Sequence, residues 1–158
     1  MTDFLVRLYS LPDPAPYYKR VQDEGIVLHR PLTADKKRVV DFVRTNFPDN
    51  WAEECESIFG RAPIPCYIAR KSSRIIGFAC YDAVCMNFFG PTGVDPEFRG
   101  KGIGAALLLR CLYDMKTEGF GYAIIGWGDG GMEFYQKIVG ATVIEGSAPG
   151  IYKDLLTL

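Results

Sequence analysis

The sequence has no long apolar run. Its longest, residues 105–109, falls far short of the about 20 residues an α-helix needs to cross a bilayer. The first residues show no basic stretch followed by an apolar one, so no secretory leader is expected. No two cysteines have C-x-x-C spacing. The five present (Cys55, Cys66, Cys80, Cys85, Cys111) are scattered and odd in number, which argues against both a structural zinc site and a secreted disulfide framework. They read as reduced, mostly buried thiols, and no metal is expected. An excess of one charge is missing too: 18 Lys and Arg stand against 19 Asp and Glu, so nothing is available to neutralise a phosphate backbone or an anionic membrane. Together these absences predict a cytoplasmic protein that binds neither nucleic acid nor membrane.

What is present suits one domain, residues 1–158, with 48% hydrophobic content and length enough for a core. No repeat or linker interrupts it. Residues 4–11 read as a short strand, and Pro12, Pro14 and Pro16 predict an extended, non-helical connection, so residues 1–24 form an N-terminal extension. Residues 25–30 read as a strand ended by Pro31. Thr33 is the expected N-cap of a helix with the stripe Val39, Val40, Phe42 and Val43, and a second helix after Pro48 presents Trp51, Cys55, Ile58 and Phe59. Residues 66–70, 74–81 and 84–89 predict an antiparallel meander. A helix over 103–116 follows, with Ile103, Leu107, Cys111 and Met115 on one face, and Gly119 ends it. The apolar run 122–127 predicts a strand buried on both faces, reached by a crossover. A glycine-rich turn then opens a short helix through Ile138, and residues 142–144 and 151–155 are expected to close the sheet as a strand pair.

The sharpest local feature is Arg99-Gly100-Lys101-Gly102-Ile103-Gly104, where a strand ends and glycines lead into the strongest amphipathic helix. Free N–H groups at a helix start, the positive end of its dipole and two cations make an anion site suited to a pyrophosphate. Other phosphate loops fail on spacing. A Walker loop needs Gly-Lys-Ser/Thr, which is absent, and the dinucleotide fingerprint is nearly met by Gly100, Gly102 and Ala105 but follows a meander rather than opening a βαβ unit.

The same residues resemble the R/Q-x-x-G-x-G/A signature of the GNAT acetyltransferase superfamily, over roughly residue 25 to the C-terminus. The resemblance implies an α+β fold: a mixed, mostly antiparallel sheet of six to seven strands flanked by about four helices. It implies acetyl-CoA as co-substrate, with the backbone of Arg99, Gly100, Lys101, Gly102, Ile103, Gly104 and Ala105 binding the pyrophosphate. Thr92 and Val94 would meet the pantetheine and thioester where adjacent strands splay apart, and the Val94 N–H would hold the oxyanion. Residues 134–141 are similar to the family's closing helix, which makes Tyr135 the candidate general acid. A phenol, with an ordinary pKa of about 10, can protonate a departing thiolate of about 8.5. Departures are visible: Tyr135 stands five residues before Gly140 where four is usual, requiring an extra residue or bulge; the asparagine preceding that helix is absent, with Gly128 or Asp129 nearest in position; and Pro91 interrupts the cofactor strand, where it can donate no ladder hydrogen bond and pairing must be irregular.

The implied reaction is direct attack by the primary amine of a small molecule within a ternary complex. The amine must first lose a proton, and no single base emerges: Glu54, Asp82, Asp95 and Glu97 are all candidates and all read equally as solvated charges. His29, the only histidine, reads as structural. Trp51, Phe88, Phe89, Trp127, Tyr17 and Tyr18 are the aromatic residues that could wall an acceptor pocket, an amino sugar being the preferred acceptor. A homodimer through the closing strands is a further implication of the resemblance, as is, in the alternative, a module that binds acyl-CoA without turnover.

Overall fold

Alternating side chains of short strands face opposite sides of a sheet. Seven such strands share one sheet in the computed structural model, which describes residues 1–156 except the side chain of Asp129. In chain order they are β1 (Phe4–Arg7), β2 (Ile26–His29), β3 (Cys66–Lys71), β4 (Arg74–Tyr81), β5 (Phe88–Val94), β6 (Tyr122–Ile125) and β7 (Thr142–Val143). Across the sheet the order is β2-β3-β4-β5-β6-β1-β7. Only β5 and β6 run parallel, joined by the crossover helix α4 (Ile103–Thr117); the other neighbours are antiparallel. Helices α1 (Ala15–Asp23), α2 (Lys36–Asn46), α3 (Asp49–Ser57) and α5 (Met132–Val139) complete the fold. The expected mixed, mostly antiparallel architecture is observed, with seven strands and, among the described residues, five α-helices rather than four.

The sheet separates two cores. On one face α4 buries Ile103, Leu107, Leu108, Leu112 and Met115 against Tyr67 and Ala69 of β3, Tyr81 of β4 and Tyr135 of α5. On the other, Val39 and Val43 of α2 and Ala52 and Cys55 of α3 pack on Cys66, Ile68, Phe78 and Cys80. At the far end Arg30, after β2, pairs with Asp114 of α4 at 2.6 Å, and the Tyr67 hydroxyl donates to the same carboxylate at 2.6 Å.

Several sequence expectations are corrected. The proline-rich connection is helical, because Pro16 falls in the first turn of α1, where no N–H is needed, and Asp13 accepts the Ala15 N–H at 3.0 Å. Thr33 begins a short 3-10 turn instead of capping α2, and Asp35 accepts the Leu32 N–H at 3.2 Å. The third meander strand is Phe88–Val94 and not 84–89. Tyr122 at the start of β6 is exposed, so that strand is not buried on both faces.

The largest correction concerns the closing pair. Residues 151–155 form no strand; Gly150–Asp154 is a 3-10 turn, and the place beside β6 belongs to β1. Phe4 and Val6 are fully buried there, a gain the segment bearing Lys153 and Asp154 could not match. The first residues are thus an interior strand of the sheet rather than an extension. Phe4→Ala is expected to cost about 3–5 kcal/mol, the usual loss for a fully buried aromatic ring; urea unfolding would measure it, and a cost below about 1 kcal/mol would contradict an interior β1.

Candidate active site

Between β4 and β5, Ala79 faces Thr92 but Tyr81 faces Phe89, so three steps on β5 answer two on β4. The extra residue lies at Gly90-Pro91 and makes a β-bulge, which bends the strand that carries it. β6 pairs with β5 only at Phe88 and Phe89, opposite Ile124 and Ile125. Beyond the bulge the two strands part. The Asp95 N–H donates to Ile76 O at 2.9 Å, so by the period of two the main chain of Gly93 also faces β4. Thr92 and Val94 therefore turn their backbone polar groups into the gap. Gly93 is required by packing, since a Cβ there would stand 2.4 Å from the Phe47 ring.

The gap leads to the glycine loop. Asp95 is buried, accepts the Glu97 N–H at 3.0 Å and pairs with Arg74 at 2.8 Å, anchoring the turn that follows β5. Gly100 and Gly102 both have φ of +81°, open to glycine at little cost. The first backbone bond of α4 runs from Ala106 N–H to Gly102 O at 3.1 Å. Among the described residues no acceptor meets the N–H groups of Gly100, Lys101, Gly102, Ile103, Gly104 or Ala105. Six donors at the positive end of a 15-residue helix are thus left without an acceptor, the condition for an anion site.

Three cations surround it. Arg99 donates through Nε to Val94 O at 3.2 Å, and Lys101 pairs with Glu24 at 3.4 Å. The third was missed: Arg20 of α1 donates to Gly100 O at 2.9 Å and lies so close over Gly102 that a Cβ there would meet its Cδ at 3.0 Å. Reading α1 as helix would have been the signal, because it turns Arg20 and Glu24, one helical turn apart, toward a common neighbour.

On the same face, Tyr135 is buried with its ring edge-on to Phe89, centroids 6.3 Å apart. Burial pushes its phenol up to about 12, so it stays protonated throughout the neutral range. Its hydroxyl has no hydrogen-bond partner among the described residues. Phe134, beside it at 5.2 Å between centroids, reaches the contact distance of Gly104 and so spans from Tyr135 to the loop. The extra residue before Gly140 is absorbed at the helix end: Ala141 N–H reaches back six residues to Tyr135 O at 3.4 Å, while Gly140 N–H keeps the ordinary span to Gln136 O at 3.0 Å. At the position of the missing asparagine, Gly128 is buried and its N–H donates to Thr2 O at 3.2 Å; the Asp129 side chain lies outside the described residues.

The other face holds a different set. Trp127 stacks on Tyr152, centroids 3.9 Å apart, and the Tyr152 hydroxyl closes over Gly126 beside Phe88. Burial raises the Tyr152 phenol to about 12, and Glu54 and Asp3 add to the rise. Two buried polar atoms near the fork, Asn87 Oδ1 and Trp127 Nε1, have no partner among the described residues. Of the four candidate bases, Asp95 and Glu97 pair with Arg74, and Asp82 accepts the Asn87 N–H at 2.6 Å. Glu54 is left, half-buried on α3, with its carboxyl raised by desolvation and partly lowered by Asn50. The aromatic residues do not gather as one wall: Phe88 and Trp127 meet through Tyr152, Trp51 stacks on Phe47, and Tyr17, Tyr18 and Phe89 join the core on the α4 face. His29 accepts from Arg70 Nε at 3.2 Å and lies near Arg30 O, away from this site.

A forked parallel strand pair runs into a helix N-terminus, and comparison with known proteins gives this arrangement a family. Residues 36–141 match the model of the Acetyltransferase (GNAT) family, two-thirds of the chain, and the protein belongs to that family. Among solved structures it is similar to the glucosamine N-acetyltransferase region of a fungal multi-domain β-N-acetylglucosaminidase (TM-score 0.74, 17% identity, 90% of this chain and 19% of that one). It is also similar to a GCN5-related N-acetyltransferase from Sphaerobacter thermophilus (0.66, 19% identity, 90% and 48%). A third likeness is an aminoglycoside acetyltransferase from an uncultured soil metagenomic sample in complex with sisomicin (0.53, 15% identity, 73% and 88%). The chain thus spans less than half of the first two proteins, and at these identities the likeness is one of fold. No curated protein matches. No helix among the described residues is long and apolar enough to cross a membrane.

Arg20→Ala is expected to weaken binding of coenzyme A about tenfold, the worth of one charge-assisted hydrogen bond of about 1.5 kcal/mol. Calorimetric titration at two salt concentrations would show the loss shrinking as salt rises; an unchanged affinity would make Arg20 a brace for the loop and nothing more.

Proposed function

We propose that the chain is an acetyl-CoA-dependent N-acetyltransferase acting on the primary amine of a small acceptor. The observation that carries this reading is the continuous path from the six unpaired N–H groups of the loop, along the open edge of β5, to Tyr135. A pyrophosphate on the loop and a pantetheine arm laid along Thr92 and Val94, with Phe134 as its wall, would bring a thioester to the fork beside Phe89.

The chemistry follows from the two faces. The acceptor amine approaches from the side of α3, where Glu54 takes its proton; desolvation has raised that carboxyl toward the range in which it works as a base. The amine attacks the thioester carbonyl, and the Thr92 N–H, turned into the gap just after the bulge, receives the developing oxyanion, because Val94 lies at the glycine-loop end, next to Gly104. Collapse expels the thiolate, which takes a proton from Tyr135 on the opposite face. An amino sugar is the acceptor class we favour, and the cytoplasm the expected compartment.

Thiol release with an acceptor panel tests the reading directly. Tyr135→Phe should lower kcat about 10²- to 10⁴-fold with the dissociation constant for acetyl-CoA unchanged, the usual span for loss of a general acid. Binding without turnover by the wild type would make the chain an acyl-CoA-binding module instead. For Glu54→Gln the kcat/KM profile should lose its acidic limb, which in the wild type falls above the ordinary carboxylate range because the folded environment raises the pKa. An identical limb in both proteins would remove Glu54 from the reaction.

A further inference from the structure

Three of the five thiols meet in the core beneath α2 and α3. Cys55 comes from α3, Cys66 from β3 and Cys80 from β4; all are fully buried, and their sulfurs lie within 4.8 Å of one another. Cys66 and Cys80 are direct cross-strand partners. Because Tyr81 N–H donates to Pro65 O at 3.0 Å, the next pair inward is the non-hydrogen-bonded kind, whose side chains stand closest. Val39, Val43, Ile58, Ile68 and Phe78 surround the group. No histidine, carboxylate or further cysteine joins it among the described residues.

That geometry fits a pyramidal three-sulfur complex, which asks for no fourth ligand. Three sulfurs each about 2.3 Å from an apical centre stand no more than about 4.0 Å apart, so closing the site draws the thiols inward from separations of up to 4.8 Å. Zinc is disfavoured because it wants a fourth ligand, and the apolar wall supplies none among the described residues. Charge selects among the rest. Three thiolates leave a net charge of −2 around a monovalent ion and −1 around a divalent one, costly where no counter-charge is buried nearby, whereas a trivalent centre gives a neutral complex.

We propose that Cys55, Cys66 and Cys80 form a binding site for a soft trivalent metalloid of the arsenous acid class. Binding is a condensation: three S–H groups react with As(OH)3 to form three As–S bonds and release three waters, with no change of oxidation state. The adduct ties α3 to β3 and β4 and fixes the residue next to Glu54.

The test is native mass spectrometry of the intact chain after prolonged incubation with arsenite, with X-ray absorption of the adduct. One arsenic per chain, three sulfurs around it and a raised melting temperature are expected. Cys85→Ser and Cys111→Ser should bind as the wild type does. Cys55→Ala, checked for fold by circular dichroism, should bind roughly a hundredfold more weakly, as when one tether of a multivalent contact is cut. One or two sulfurs around arsenic in the wild type, no adduct, or full affinity in Cys55→Ala would overturn the proposal, and copper(I) displacing arsenic would overturn its charge argument.

Discussion

One surplus residue in β5 governs the site. A sheet of hydrogen-bonded strands has no room between neighbours, because adjacent backbones lie less than 5 Å apart. The bulge at Gly90-Pro91 breaks that spacing on one side only: β4 keeps its pairing with Val94, while β6 is released after Phe89. The backbone groups set free cannot stay unpaired without cost, so the gap has an intrinsic demand for a ligand rich in amide groups. A pantetheine arm is such a ligand. The cofactor would in effect serve as the missing strand.

In the proposed reaction the same fork would separate the two proton transfers. Tyr135 belongs to the core under α4, whereas Glu54 stands on α3 across the sheet. The proposed donor and acceptor of protons would therefore face a thioester from opposite sides without contacting each other. Each environment shifts its group in the useful direction, burial holding the phenol protonated and desolvation strengthening the carboxylate as a base.

Much of this was legible in the chain. The glycines before α4 carry their own physical reason, and helix periodicity located α2, α3 and α4 within a few residues. What failed to show was tertiary in origin. Prolines at 12, 14 and 16 look like helix breakers until the third is seen in a first turn, where its missing N–H is harmless. Pro91 gave away the irregular pairing of β5, but only the register against β4 reveals that it is one extra residue. Four carboxylates were indistinguishable in sequence, and only their partners set Glu54 apart: Arg74 engages two and the Asn87 amide a third. Arg20 was invisible because it is 80 residues from the carbonyl it meets.

The position of β1 bears on how the molecule assembles. It is made early, yet its hydrogen-bonding partners are Tyr122–Ile125 on one side and Thr142–Val143 on the other. Asp3 next to it holds the Trp127 N–H and, through its own backbone, Ser147 and Ile144. Closing so long a loop is entropically slow, and high contact order retards folding. During synthesis the β2-to-β5 meander and its helices can settle locally, while the half of the sheet carrying Trp127 and Tyr152 waits for the chain to return to its beginning. The strand opposite β5 and the aromatic pair beyond it thus depend for their placement on β1, far earlier in the chain.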